Sequence, residues 1–161
     1  MNRTLPLIAT LAGSLLIAAC GGGSGSSQLK ISVADAPIDG AEKVVVTFTG
    51  VEVKPAGGEP IQLDLAAPVQ VDLLATAGGQ AAVVVAPAKV PAGDYEWMRL
   101  KVVTSRDSLD SHIQLLGGEQ APLFVPSGEQ SGLKIIHAFT VPDGGLQALT
   151  VDFDLRRSIT K

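Results

Sequence analysis

The groups in this chain that could do chemistry are few: one cysteine, two histidines, one tryptophan and scattered carboxylates. Spacing limits what each can do. A hydroxyl nucleophile needs a base beside it and, in a common hydrolase arrangement, a GxSxG elbow to present the serine. The chain has no such elbow, so Ser131 and Ser158 read as strand-edge serines, and His112 and His137 find no partner for triad work. Neither histidine has a second ligand-type residue at zinc spacing, and strict alternation from Ile135 turns His137 toward the core as a hydrogen-bonded structural group. Asp35 and Asp39 flank a proline in one turn, and Asp152 and Asp154 share a strand face. Clustered hard oxygens suit Ca²⁺, but the DxDxDG order of a calcium loop is missing. Asp35 is more simply a turn former, and Asp152 and Asp154 a solvated face. We therefore expect no metal, no cofactor and no catalytic residue; a hydrolase in unrecognised form is the remote reading.

The remaining chemistry is recognition. Tyr95, Trp97, Arg99 and Lys101 alternate with Met98, Leu100 and Val102, which places the first four on the outward side of one strand. An aromatic flanked by cations can stack on a sugar ring or anchor a protein partner. The plainer alternative packs Trp97 under a loop. These four residues are the candidate binding face.

Cys20 has another use. Leu15-Leu16-Ile17-Ala18-Ala19 precede it and Gly21-Gly22-Gly23-Ser24-Gly25-Ser26-Ser27 follow. This resembles the lipobox of a bacterial lipoprotein precursor, cut between Ala19 and Cys20. The resemblance implies that the Cys20 thiol takes a diacylglycerol and the freed amine an acyl chain. Small Ala18 and Ala19 fit a peptidase cleft, and only a thiol forms the thioether. Arg3 followed by Leu5–Ala19 has the basic start and short apolar run of a secretory signal. That run falls short of the roughly 20 residues that span a bilayer. Acyl chains contribute roughly 0.8 kcal/mol per buried CH₂, so the membrane is an expected partner through Cys20. Gly21 stands where, in enteric bacteria, an aspartate favours inner-membrane retention, so the outer membrane is expected rather than the inner.

Removing residues 1–19 from the 161 leaves 142, enough for one domain with its own core. Arg3 is the only charge before Cys20, so the net charge moves from −4 to −5. Mild acidity without a basic cluster argues against nucleic acid. With Cys20 acylated no thiol remains for a disulfide, and the fold must stand on its core.

Residues 20–27 read as lipidated cysteine plus linker, with a reach of roughly 15 Å for the Gly/Ser tract. The tract matches neither GxGxxG nor GxxxxGK[ST], which removes a phosphate loop. From Gln28 the texture becomes short valine-rich runs between Gly, Pro and Asp. Leu29, Ile31 and Val33 alternate with polar residues. Val44, Val46 and Phe48 share a face, but Val51 and Val53 fall on the opposite parity. A bulge at Gly50 would restore them to one face. Ile61–Leu65 alternates; Val69–Thr76 fits either a helical turn or a strand end. Ala81–Ala86, Tyr95–Thr104, Ser111–Leu115, Pro122–Val125, Gly132–Val141 and Leu146–Leu155 complete about eight or nine short strands. That pattern predicts an all-β chain, an antiparallel sandwich over 28–161.

Four stretches in order resemble the bacterial lipoprotein domain DUF4382: Ile31-Ser32-Val33-Ala34-Asp35-Ala36-Pro37; Val44–Val53; Val90-Pro91-Ala92-Gly93-Asp94-Tyr95 with Arg99-Leu100; and Leu149-Thr150-Val151-Asp152-Phe153-Asp154 with Ser158-Ile159. The resemblance implies an immunoglobulin- or prealbumin-like β-sandwich on a secreted lipoprotein, sometimes followed by carboxypeptidase-regulatory-like modules. It implies no established activity and supplies no catalytic residues. Its pattern calls for a further glycine turn and strand beyond Lys161, without which the last sheet edge is expected to be open. The expected function is non-catalytic: a lipid-anchored envelope protein that binds protein or carbohydrate, or else an assembly protein that uses an open edge strand.

Overall fold

Short β-branched runs that alternate apolar and polar residues bury one face only when two sheets close over each other. The computed structural model adopts that solution, a β-sandwich, and describes residues 26–35, 39–124 and 132–154, with the Asp35 side chain outside that set. The strands are β1 (Gln28–Asp35), β2 (Ala41–Pro55), β3 (Ile61–Asp72), β4 (Ala82–Lys89), β5 (Gly93–Val103), β6 (His112–Leu115), β7 (Gln120–Pro122), β8 (Leu133–Ile135), β9 (Phe139–Val141) and β10 (Leu146–Phe153). One sheet has the order β10-β1-β4; the other holds the remaining seven strands around β2 and β5.

Ten strands stand among the described residues where about eight or nine were expected, in part because Gly132–Val141 divides. β8 pairs with Met98–Leu100 of β5, whereas β9 pairs with Gly93–Tyr95. Between them Ile136 is 81 % exposed. His137 is exposed as well, since alternation from Ile135 ends with β8. The core position expected for His137 is thereby corrected. The sandwich also departs from a purely antiparallel pattern. β10 arrives from the opposite sheet and lies parallel to β1, Gln28 opposite Leu146 through Asp35 opposite Phe153. A crossover of this kind permits parallel pairing where a hairpin would not.

β2 organises the larger sheet. Its register shifts between Phe48 and Gly50 against both β3 and β5. The bulge anticipated at Gly50 is present, and it puts Val44, Phe48, Val51 and Val53 fully inside. A side chain at Gly50 would press on the Leu63 carbonyl at 3.1 Å, so the close approach of β3 favours glycine there. Further along its length β2 exchanges neighbours, pairing β6 through Ala41–Val45 and β5 through Thr47–Pro55. Buried Ser111 closes that seam. Its hydroxyl accepts from the Thr47 amide at 2.9 Å and donates to the Val103 carbonyl.

The ambiguous Val69–Thr76 stretch is both things at once, the end of β3 followed by a 3-10 turn at Leu73–Thr76. The Asp72 carboxylate accepts from the amides of Leu74 and Val44, each at 3.2 Å, capping the turn and tying it to β2. The core contains Leu29, Ile31 and Val33 of β1, the β2 residues, and Leu100 and Val102 of β5. A register shift in the β1–β4 ladder brings both Val84 and Val85 inside.

Candidate functional site

The outward side of the larger sheet carries most of the candidate binding residues. Past the bulge, Gly50, Glu52 and Lys54 of β2 share a face with Gln62 and Asp64 of β3 and with Trp97, Arg99 and Lys101 of β5. The ladders set these groups in rows. Gln62 is opposite Glu52, Glu52 opposite Arg99, and Arg99 opposite Lys134 of β8. In the next row Asp64 and Lys101 flank Gly50, whose missing side chain lets them approach to 3.9 Å. Lys54, opposite Trp97, turns its ammonium to the carbonyls of Pro55 and Gly58.

Trp97 is the centre of this face. The Arg99 guanidinium carbon lies 5.1 Å from its ring centroid and the Lys134 ammonium 4.3 Å. Both are within cation–π range. Glu52, only 9 % exposed, receives Arg99 Nη1 at 2.5 Å and Gln62 Nε2 at 2.6 Å. A carboxylate this covered needs such partners. Arg99 Nε, by contrast, is buried without a hydrogen-bond partner among the described residues. Lys134 has only its indole contact there.

Tyr95 does not belong to this face, which corrects the expectation from alternation. The β2–β5 register shifts between Lys54 and Pro55, so that Pro55 pairs with Tyr95 and Glu96 is skipped. Proline has no amide to give the ladder, and the bulge beside it reverses the parity. Tyr95 turns inward at 2 % exposure and stacks on Phe139, centroids 4.9 Å apart and planes 7° apart. Its hydroxyl donates to the Pro91 carbonyl at 2.8 Å, much as a tyrosine corner ties a loop in other sandwiches. Burial raises its pKa above the ordinary 10.0.

The other sequence candidates stay apart. Asp39 and Asp152 are exposed, and Asp154 is exposed but has an interaction partner. Among the described residues no three His, Cys, Asp or Glu side chains converge as a metal site would need. His112 places Nδ1 2.7 Å from the Leu109 carbonyl, a local turn contact. Ala19, Cys20, Ser131 and Ser158 lie outside the described residues. A shallow groove of about 390 Å³ runs between the end of β3 and the start of β4, with Val71, Asp72 and Val83 on its walls. Asp72, its carboxylate, is spent on backbone amides.

Lys134, Glu52 and Gln62 were not singled out from sequence. Alternation marks each as outward, but only the strand order brings them beside Trp97. No helix among the described residues is long and apolar enough to cross a membrane. Residues 26–161 match the family model described as a domain of unknown function, DUF4382. No curated protein and no solved structure matches the chain.

Proposed function

This chain belongs to the DUF4382 family, and on that premise we propose a lipid-anchored lipoprotein of the cell envelope that presents a non-catalytic β-sandwich for binding protein or carbohydrate. The observation that carries the reading is Trp97, held on an outward sheet face with cations 5.1 and 4.3 Å from its ring. Large amphipathic aromatics beside cations are what binding surfaces use as anchors. The address rests on the sequence: the apolar run ending in Ala18-Ala19-Cys20, then a Gly/Ser spacer. Palmitoylation follows from that reading, and the outer membrane from Gly21. A glycan array and an envelope pulldown with the full-length protein in detergent test the binding reading. Ligands lost on Trp97→Ala support it, and an empty result from both overturns it.

A second reading has its own observation. β10 borders the three-stranded sheet, and no described strand pairs with its far side. Leu149, Val151 and Phe153 beside that edge stay half-buried, although β1 next to them is sealed. An open edge of this kind can accept a strand from a neighbour. Concentration-dependent oligomers abolished by Thr150→Pro would favour assembly over ligand binding.

A further inference from the structure

Arg99 and Lys134 are directly opposed on neighbouring strands, a placement in which like charges repel. Glu52 compensates one of them, through Arg99 Nη1 alone. The rows of this face hold Lys54, Arg99, Lys101 and Lys134 against Glu52 and Asp64, an excess of two positive charges on a chain of net charge −4. Lys134 is balanced by the indole alone and Lys54 by backbone carbonyls, so neither has a carboxylate partner among the described residues. A ligand that brings anions and a flat apolar face relieves both features together.

Resting on the binding reading above, we propose that the Trp97 face recognises an acidic polysaccharide, one whose pyranose rings carry carboxylates. A sugar ring would take the place of the Lys134 ammonium over the indole. Lys134, exposed and held by nothing else among the described residues, swings onto the ring's carboxylate. Arg99 Nη2 and Lys101 offer further cationic donors. Arg99 and Lys101 are two residues apart on β5, about 7 Å along the strand, so successive acidic groups on one polymer can meet separate cations. A membrane headgroup layer or an acidic peptide would satisfy the cations but would leave the indole without a stacking partner.

Trp97 is the chain's single tryptophan, so its fluorescence reports this site alone. Full-length protein in neutral detergent would be titrated with polygalacturonate, with its fully methyl-esterified form, with polyglutamate, and with phosphatidylglycerol vesicles. The expected result is a saturable fluorescence change with polygalacturonate only, weakened by salt. Lys134→Ala should weaken binding about fivefold to tenfold, and Lys134→Glu further. Trp97→Ala, followed by calorimetry after circular dichroism has verified the sheet, should lose about thirtyfold or more. Equal binding of the methyl ester overturns the acidic specificity but leaves carbohydrate binding standing. Equal binding of polyglutamate or of vesicles overturns the sugar-stacking inference. Tight polygalacturonate binding that survives both Lys134→Glu and Trp97→Ala overturns this site.

Discussion

Glu52 and Arg99 are cross-strand partners whose charged atoms meet at 2.5 Å, with side chains 12 % and 27 % exposed. The pair fastens β2 to β5 on the solvent side of the larger sheet. Glu52→Ala should lower stability by about 1–2 kcal/mol, because it leaves a partly covered guanidinium without its acceptor. The change is read from urea unfolding. High salt should shrink the wild-type advantage, and a Glu52→Ala midpoint equal to wild type would mean the pair contributes nothing.

Ser111→Ala removes one hydroxyl but strands two backbone groups, the Thr47 amide and the Val103 carbonyl, at the seam where β2 changes neighbours. Buried backbone groups left unpaired cost about 1–3 kcal/mol, so the loss should exceed that of an ordinary surface serine. Hydrogen exchange at the Thr47 amide should accelerate selectively. Unchanged protection there would contradict the seam role.

The Tyr95 pKa is raised by burial, and its hydroxyl holds the Pro91 carbonyl. Tyr95→Phe keeps the stack on Phe139 and should cost about 1 kcal/mol at neutral pH. The sign with pH follows from the raised value. The folded state keeps the phenol proton after the unfolded chain has begun to lose it near pH 10.0, so Tyr95 stabilises fully below that pH. Its contribution fades as pH climbs from there through the folded value. Wild type and Tyr95→Phe should therefore converge in alkaline melts. A gap that widens above pH 10 would refute this linkage.

Gly132 has a φ of +68°, and a Cβ there would collide with the Leu100 carbonyl. Gly132→Ala should cost about 2 kcal/mol, from left-handed strain plus displacement of β8. Because β8 carries Lys134, the variant should also shift Trp97 emission. Loss of stability without any spectral change would separate the turn from the Trp97 face.

Cys20→Ala should abolish labelling by a palmitate analogue and leave an unprocessed precursor, because the dedicated peptidase acts on the lipid-modified cysteine. Circular dichroism of the sheet should be indifferent to the change. Label that persists in Cys20→Ala would rule out the anchor.

Local alternation determined much of this protein. It marked most strands, the inward sets of β1, β2 and β5, and even the bulge at Gly50, because side chains on a strand have a period of two and a parity break needs an extra residue. It determined that Trp97, Arg99 and Lys101 share an outward face. It could not place Tyr95, because the bulge that turns the ring inward depends on Pro55, forty residues earlier and on another strand. Nor could it place His137, which follows the break between β8 and β9 rather than the period. Lys134 beside Trp97, Glu52 beneath Arg99 and the parallel β1–β10 pair are products of strand order alone. Strand order is decided by which faces pack to form one core, a sum over distant residues that no local window contains.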